Sequence, residues 1–246
     1  MKRVTIACAL CAALLAFGSR RAPGQEPEWV AFSYGGEQEG YGAVFNHQPI
    51  EVAARQASPP DSAMLDEATI VALKVGSLSV AHRGEQVWHS DPSWDVRQFL
   101  LADVNNDGQE EVAFVLWKPY RLEPALLYET FDFPSPWEEG SLRNHLFIYG
   151  WRDGAWQHLW CSSPVEHPII QIYVADIDGD TSNELVVLEG SYAAPDSDRR
   201  RVSVWRWHGW GFTFVWHSPA GIYDGLLLED VTGDGVPDIL VRVPAA

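Results

Sequence analysis

The chain has 246 residues, 46% of them hydrophobic, with 17 Lys and Arg against 34 Asp and Glu for a formal net charge of −17. Such a length and composition suit one large globular domain or two modest ones and exclude a disordered chain, while the acidic balance disfavours nucleic acid and anionic membranes, which are bound by neutralising phosphate with Lys and Arg. Twelve Trp against two Met point to rigid aromatic packing, and 20 Gly with 16 Pro point to many turns.

At the N-terminus a basic start, Met1 to Arg3, precedes an apolar run from Val4 to Phe17 broken only by Thr5, with small residues at Ala16 and Gly18. The pattern predicts a signal peptide over 1–18 and an extracytoplasmic location, whether secreted, periplasmic or cell-surface. The run is shorter than the roughly 20 residues of a membrane-spanning helix. Arg20 and Arg21 just beyond it would also suit an uncleaved anchor. No other membrane-spanning segment is expected. Cys8 and Cys11 lie inside the run, so Cys161 stands alone in the mature chain and no internal disulfide is available.

Residues 19–64 hold candidate strands at Val30–Tyr34, Ala43–Asn46 and Ile50–Ala54, and Arg55–Asp66 reads as a polar loop. Strands are predicted next at Thr69–Val75, Leu78–His82 and Gln86–His89. One unit then recurs three times. Its copies are V-W-H-S from Val87 with the acidic loop from Asp103, L-W-C-S from Leu159 with the loop from Asp176, and V-W-H-S from Val215 with the loop from Asp230. From the Trp of each copy to the first Asp of its loop is 15, 16 and 14 residues. Lys118–Arg143 is a Pro- and acid-rich insertion. The segments from Leu146 and from Val202 alternate apolar with polar residues around a Gly-bearing tetrapeptide, which predicts Trp-rich hairpins.

Each unit therefore reads as a strand entering the acidic loop, an apolar strand leaving it, and the two arms of a hairpin. Four-stranded units without helical periodicity predict an all-β fold, a β-propeller of about four blades over 65–246. The third copy stops after two strands, and the hairpin around Leu78–His89 is expected to complete it.

The acidic loops place oxygen-bearing side chains at alternate positions. The first has Asp103, Asn105, Asp107 and Glu111; the second Asp176, Asp178, Asp180 and Glu184; the third Asp230, Thr232, Asp234 and Asp238. Folding positions 1, 3, 5 and 9 inward, with a backbone carbonyl from position 7 (Gln109, Ser182 and Val236), supplies most of the six to eight hard oxygens that Ca²⁺ takes. Gly108 and Gly235 occupy the sixth position, where a sharp turn favours positive φ; Thr181 stands there in the second loop. The twelfth residues, Phe114, Val187 and Val241, are not the Glu of an EF-hand.

The pattern D-x-[DNT]-x-D-G-x-x-[DE] followed by an apolar run, from which the second loop departs at Thr181, resembles the calcium loops of the FG-GAP/VCBS repeat family, which also builds the propeller of integrin α-chains. The Phe-Gly and Gly-Ala-Pro signatures of that family are absent from these repeats. The resemblance covers roughly Leu65 to Val243 and implies up to three structural Ca²⁺ sites on the residues just named. It also implies a partner, protein or glycan, bound at loops on one face.

No H-E-x-x-H, G-x-S-x-G, P-loop or dinucleotide motif occurs, and the expectation is a non-catalytic binding module. A lectin-like module using exposed Trp, with Trp210 at a hairpin tip as the foremost candidate, is the alternative. A calcium-dependent hydrolase comes third.

Overall fold

Strands are the only extended regular structure among the residues that the computed structural model describes, 28–38, 42–50, 61–121, 138–197 and 199–244. In chain order they are β1 (Glu28–Gln38), β2 (Gly42–Ile50), β3 (Ser62–Met64), β4 (Thr69–Lys74), β5 (Ser77–His82), β6 (Glu85–His89), β7 (Asp95–Ala102), β8 (Glu111–Pro119) and β9 (Leu142–Arg152). There follow β10 (Ala155–Cys161), β11 (Ile169–Ala175), β12 (Glu184–Glu189), β13 (Arg199–Trp207), β14 (Phe212–His217), β15 (Gly221–Ile222), β16 (Gly225–Glu229) and β17 (Asp238–Val243). They form four antiparallel sheets: sheet I in the order β16-β17-β1-β2, sheet II β3 to β6, sheet III β7 to β10, and sheet IV β11 to β14 with β15 on β13.

Sheets III and IV follow the expected order of acidic loop, apolar strand and hairpin. Turns at Val75-Gly76, Arg83-Gly84 and Asp153-Gly154 have positive φ at both residues, the backbone that matches the twist of two-residue hairpins.

Three expectations are corrected. The C-terminal pair is completed by β1 and β2, with Phe32 opposite Ile239 and Val30 opposite Val241, and not by the Leu78–His89 hairpin. Val30 and Phe32 bury themselves with Ile239 and Val241, whereas Leu78 and Val80 are buried with residues of sheet III. The polar loop Arg55–Asp66 contains β3, and the insertion Lys118–Arg143 contributes the end of β8 and the start of β9. The ladder extends past both, since Tyr120 donates its N–H to the Ser141 carbonyl at 2.8 Å. The signal segment, residues 51–54 of one candidate strand and most of the insertion lie outside the described residues.

Sheet II carries a degenerate form of the acidic loop. The chain needs three steps from Asp66 to Thr69 where the first loop takes eight from Asp103 to Glu111. The buried Thr69 hydroxyl, hydrogen-bonded to Asp66 Oδ2 at 2.9 Å, stands where the other sheets place a carboxylate.

Apolar clusters join the sheets in series. One links sheets II and III around Phe99 and Phe114, one links III and IV around Ile148 and Leu185, and one links IV and I around Val186 and Ile239. A fully buried side chain of this kind is worth about 1.5–3 kcal/mol. Glutamines reinforce two of these junctions. Gln98 on β7 donates to the Ile172 carbonyl at 2.9 Å and accepts from the Ile172 N–H at 3.0 Å; Gln171 on β11 makes the same pair of bonds with Leu226 of β16, both at 3.1 Å. Both glutamines stand five residues before the first Asp of their loop, and the corresponding residue in sheet I is Gly225.

Candidate metal centres

The acidic loops connect β7 to β8, β11 to β12 and β16 to β17, so each leaves one strand of a hairpin and re-enters the next at its ninth residue. That residue, Glu111, Glu184 or Asp238, is buried at 0%, 1% and 3% exposure. Its carboxylate turns back toward the loop, where it accepts the N–H of the second loop residue.

Three hydrogen bonds recur in every loop. The first Asp accepts from the N–H of the sixth residue: Gly108 to Asp103 at 2.8 Å, Thr181 to Asp176 at 2.9 Å and Gly235 to Asp230 at 2.9 Å. The fifth residue accepts from the seventh, Gln109 to Asp107 at 2.9 Å, Ser182 to Asp180 at 2.7 Å and Val236 to Asp234 at 2.9 Å. The ninth accepts from the second, Val104 to Glu111 at 3.0 Å, Ile177 to Glu184 at 3.4 Å and Val231 to Asp238 at 2.8 Å. Turns of this sort explain Asp at positions 1 and 5 by themselves. They do not explain a buried carboxylate at position 9, which is expensive to desolvate unless charge of the opposite sign lies close.

The sixth residue has φ of 84° at Gly108, 75° at Thr181 and 91° at Gly235. Thr181 thus takes up the left-handed backbone that the sequence assigned to glycine, against the clash of its branched side chain.

In the first loop Asp103, Asp107 and Glu111 each bring an oxygen within 4.8 Å of the others, and in the second Asp176, Asp178 and Glu184 do the same. These two groups could hold a metal ion, and their all-oxygen donor set fits a hard cation. Asn105 holds Asp107 and Glu111 through its amide, at 3.2 and 3.3 Å, and Asp178 accepts from the Asp180 N–H at 3.1 Å. In the third loop the Thr232 hydroxyl donates to Asp238 at 3.2 Å and stands 3.5 Å from Asp230.

Arginines, unremarked in the sequence reading, complete the first two centres. Arg152, at the end of β9, contacts Asp107 at 3.0 Å and Glu111; Arg206, on β13, contacts Glu184 at 3.1 Å and Asp178. Burial nevertheless pushes the carboxyls of Glu111 and Glu184 up to about 7 and raises that of Asp178. For Asp107 burial also acts upward, but the Gln109 N–H and Arg152 outweigh it and hold the group below the usual carboxylate range. The N–H of Gly235 does the same for Asp230.

The loops touch one another. Asn183 donates its N–H to Asn106 Oδ1 at 2.6 Å and its amide to the Asp103 carbonyl at 2.8 Å, and Asn106 returns a bond to the Asn183 carbonyl at 3.2 Å. The second and third loops run close together in turn, since a Cβ at Gly179 would come within 3.3 Å of Val236.

Of the other residues singled out in the sequence, Trp88 packs with Tyr149 and Trp156, and Trp216 with Phe32 and Phe45. Trp210 is 73% exposed. Cys161 is a free, exposed thiol.

The chain was compared with models of known protein families and with curated proteins, and it matches none of them significantly.

Proposed function

We propose that this protein is an exported, calcium-stabilised β-propeller of four blades that serves as a non-catalytic binding module. The observation that carries the reading is the buried carboxylate at the ninth position of three loops built on the same three hydrogen bonds. Each loop combines that carboxylate with two or three more, and the cation that relieves their mutual repulsion is one that takes many hard oxygens. Carbonyls of Gln109, Ser182 and Val236, with Asn105 and Thr232 as neutral ligands, would fill out the coordination.

The order of the sheets supports closure into a ring. Sheets II, III, IV and I are packed in series, and sheet I contains strands from both ends of the described chain. Bringing sheet II against sheet I makes a ring of four blades and leaves no long sheet edge between them. Calcium then takes the part that disulfides play in other exported proteins, locking the rim where the three loops touch.

Isothermal titration of the metal-stripped protein with Ca²⁺ tests the assignment. More than one Ca²⁺ per chain is expected, with sites lost when Asp103, Asp176 or Asp230 is changed to Ala. Absence of heat, with no metal retained after dialysis, would refute it.

A further inference from the structure

A cleft of about 540 Å³ opens between sheets III and IV, with Trp160 on one side, Arg201, Trp205 and Phe214 on the other, and the 162–167 segment at its edge. That volume lies in the range of small-ligand sites. The neighbouring junctions show why it is open. Three residues beyond the ninth loop position stand Phe114, Val187 and Val241, and their cross-strand partners are Phe147, Ser203 and Val30. Between sheets II and III, Phe147 is present and Trp94 packs edge-on against it at 5.0 Å. Between sheets IV and I the place is filled by the buried Val30. Between III and IV it holds Ser203, and the connecting segment 162–167 contains no aromatic ring apart from His167. Two large rings are replaced by a hydroxyl.

The Ser203 hydroxyl is fully buried and has no hydrogen-bond partner. It lies on β13 between Arg201 and Trp205, on their face of the strand, and opposite His217. Ser203 is closed off from the cleft, and the polar groups that reach the cleft are those of its neighbours Arg201 and His217, with Glu189 and Ser162. Around it the walls alternate rings with polar groups. Phe214 is 55% exposed, and the Arg201–Glu189 ion pair, at 2.5 Å, presents a fixed planar hydrogen-bonding surface.

We propose that this cleft binds a neutral saccharide. Ring faces suit the apolar faces of a pyranose, and the ion pair and His217 suit its hydroxyls. An anionic ligand would meet a chain of net charge −17. A cationic one would find Glu189 already engaged by Arg201 and Glu166 in solvent, its side chain 89% exposed. The inference deepens the binding-module reading and rests on it, though not on the calcium loops.

Titrations followed by Trp fluorescence and calorimetry would use cellotetraose, maltotetraose, xylotetraose and chitotetraose, with tetralysine as the cationic probe. At least one oligosaccharide is expected to bind saturably and change the Trp emission. Phe214→Ala should weaken it about tenfold, the loss of one stacking face. His217→Ala, in the lining of the cleft, should weaken it about three- to tenfold, and Trp210→Ala, at the hairpin tip, should leave it intact. The inference is overturned if no oligosaccharide binds below about 10 mM, if binding is indifferent to both cleft variants, or if tetralysine alone binds. The calcium-dependent thermal shift, read on the same samples, separates the two claims. A shift without saccharide binding removes the cleft assignment alone, and binding without a shift removes the calcium assignment alone.

Discussion

Arg152 reaches Asp107 and Glu111 at the first acidic loop and Arg206 reaches Asp178 and Glu184 at the second, whereas the third loop has Asp230, Asp234 and Asp238 with no basic partner among the described residues. Three backbone hydrogen bonds are common to all three loops, and the clearest difference among them lies in charge. The first two loops are partly neutralised by a tethered guanidinium, which the proposed Ca²⁺ would have to displace from two of the carboxylates. The third is free of arginine but, like the first with Asn105, offers a neutral residue, Thr232, where the second has Asp178. Arginine thus supports the metal-free fold at two loops and would compete there with the proposed ion.

Removing a carboxylate that the arginine holds gives the largest effect. In chelator, Glu184→Ala is expected to cost about 3 kcal/mol, because it takes from the half-buried Arg206 one of its carboxylate partners and leaves the Ile177 N–H without an acceptor. Adding Arg206→Met should restore about 1 kcal/mol of that. Asp238→Ala, which leaves only neutral donors without an acceptor, should cost about 2 kcal/mol. Denaturant unfolding measures all three, and equal losses at the two loops would erase the distinction drawn between them.

The pH dependence sharpens it next. Glu111 and Glu184 have folded values raised to about 7, above the ordinary 4.5. The folded chain therefore binds more protons than the unfolded chain between those values, and the stability these groups contribute, full below about 4.5, is lost as pH rises through 7. Chelated protein should gain about 1–2 kcal/mol per group on going from pH 7.5 to 5.5. His145, which burial pushes down to about 4, acts in the opposite sense as pH falls below 6.5. A Glu111→Gln/Glu184→Gln variant keeps His145, so the difference between it and the parent isolates the two carboxyls. Identical pH profiles would contradict the assignment.

Arg152→Met and Arg206→Met should each tighten calcium binding at their own loop by about tenfold, roughly 1.4 kcal/mol, with no change at the third, as calorimetry would show. The smallest effect belongs to Thr181→Gly. Relief of a β-branched residue at φ 75° should slightly outweigh the freedom glycine adds to the unfolded chain, for a gain below about 1 kcal/mol. A loss on thermal unfolding would mean that the Thr181 side chain does something the turn requires.

The acidic loops and Trp-rich hairpins were legible in the sequence because period-two alternation and turn residues are local signals. The pairing of β1 with β17 was not, since nothing local distinguishes Val30–Phe32 from Leu78–Val80 as partners for Ile239–Val241. The fourth loop escaped notice because its shortening between Asp66 and Thr69 removed every residue that marks the other three. Gln98 and Gln171, each five residues before a loop, were a visible signal that went unused. Arg152 and Arg206 had none: counted from their ninth loop residues they stand at different places, Arg206 opposite Glu184 and Arg152 two residues beyond the partner of Glu111, so no repeat comparison aligns them. The cleft became visible only when Phe147, Ser203 and Val30 could be set at one position by strand register.

The central claim is that the carboxylate loops are calcium sites that hold the fold together. It is tested most directly by thermal unfolding of the chain from about Ser19, stripped with chelator and then given saturating Ca²⁺, beside an Asp107→Ala/Asp234→Ala variant. A site filled at about 100 times its Kd adds roughly 2.7 kcal/mol, or about 5–10 °C for a chain of this size. A rise of that order in the parent, much reduced in the variant, is the expected result. A β-rich protein that melts at the same temperature with and without calcium would contradict the claim and leave the loops as ordinary Asp turns.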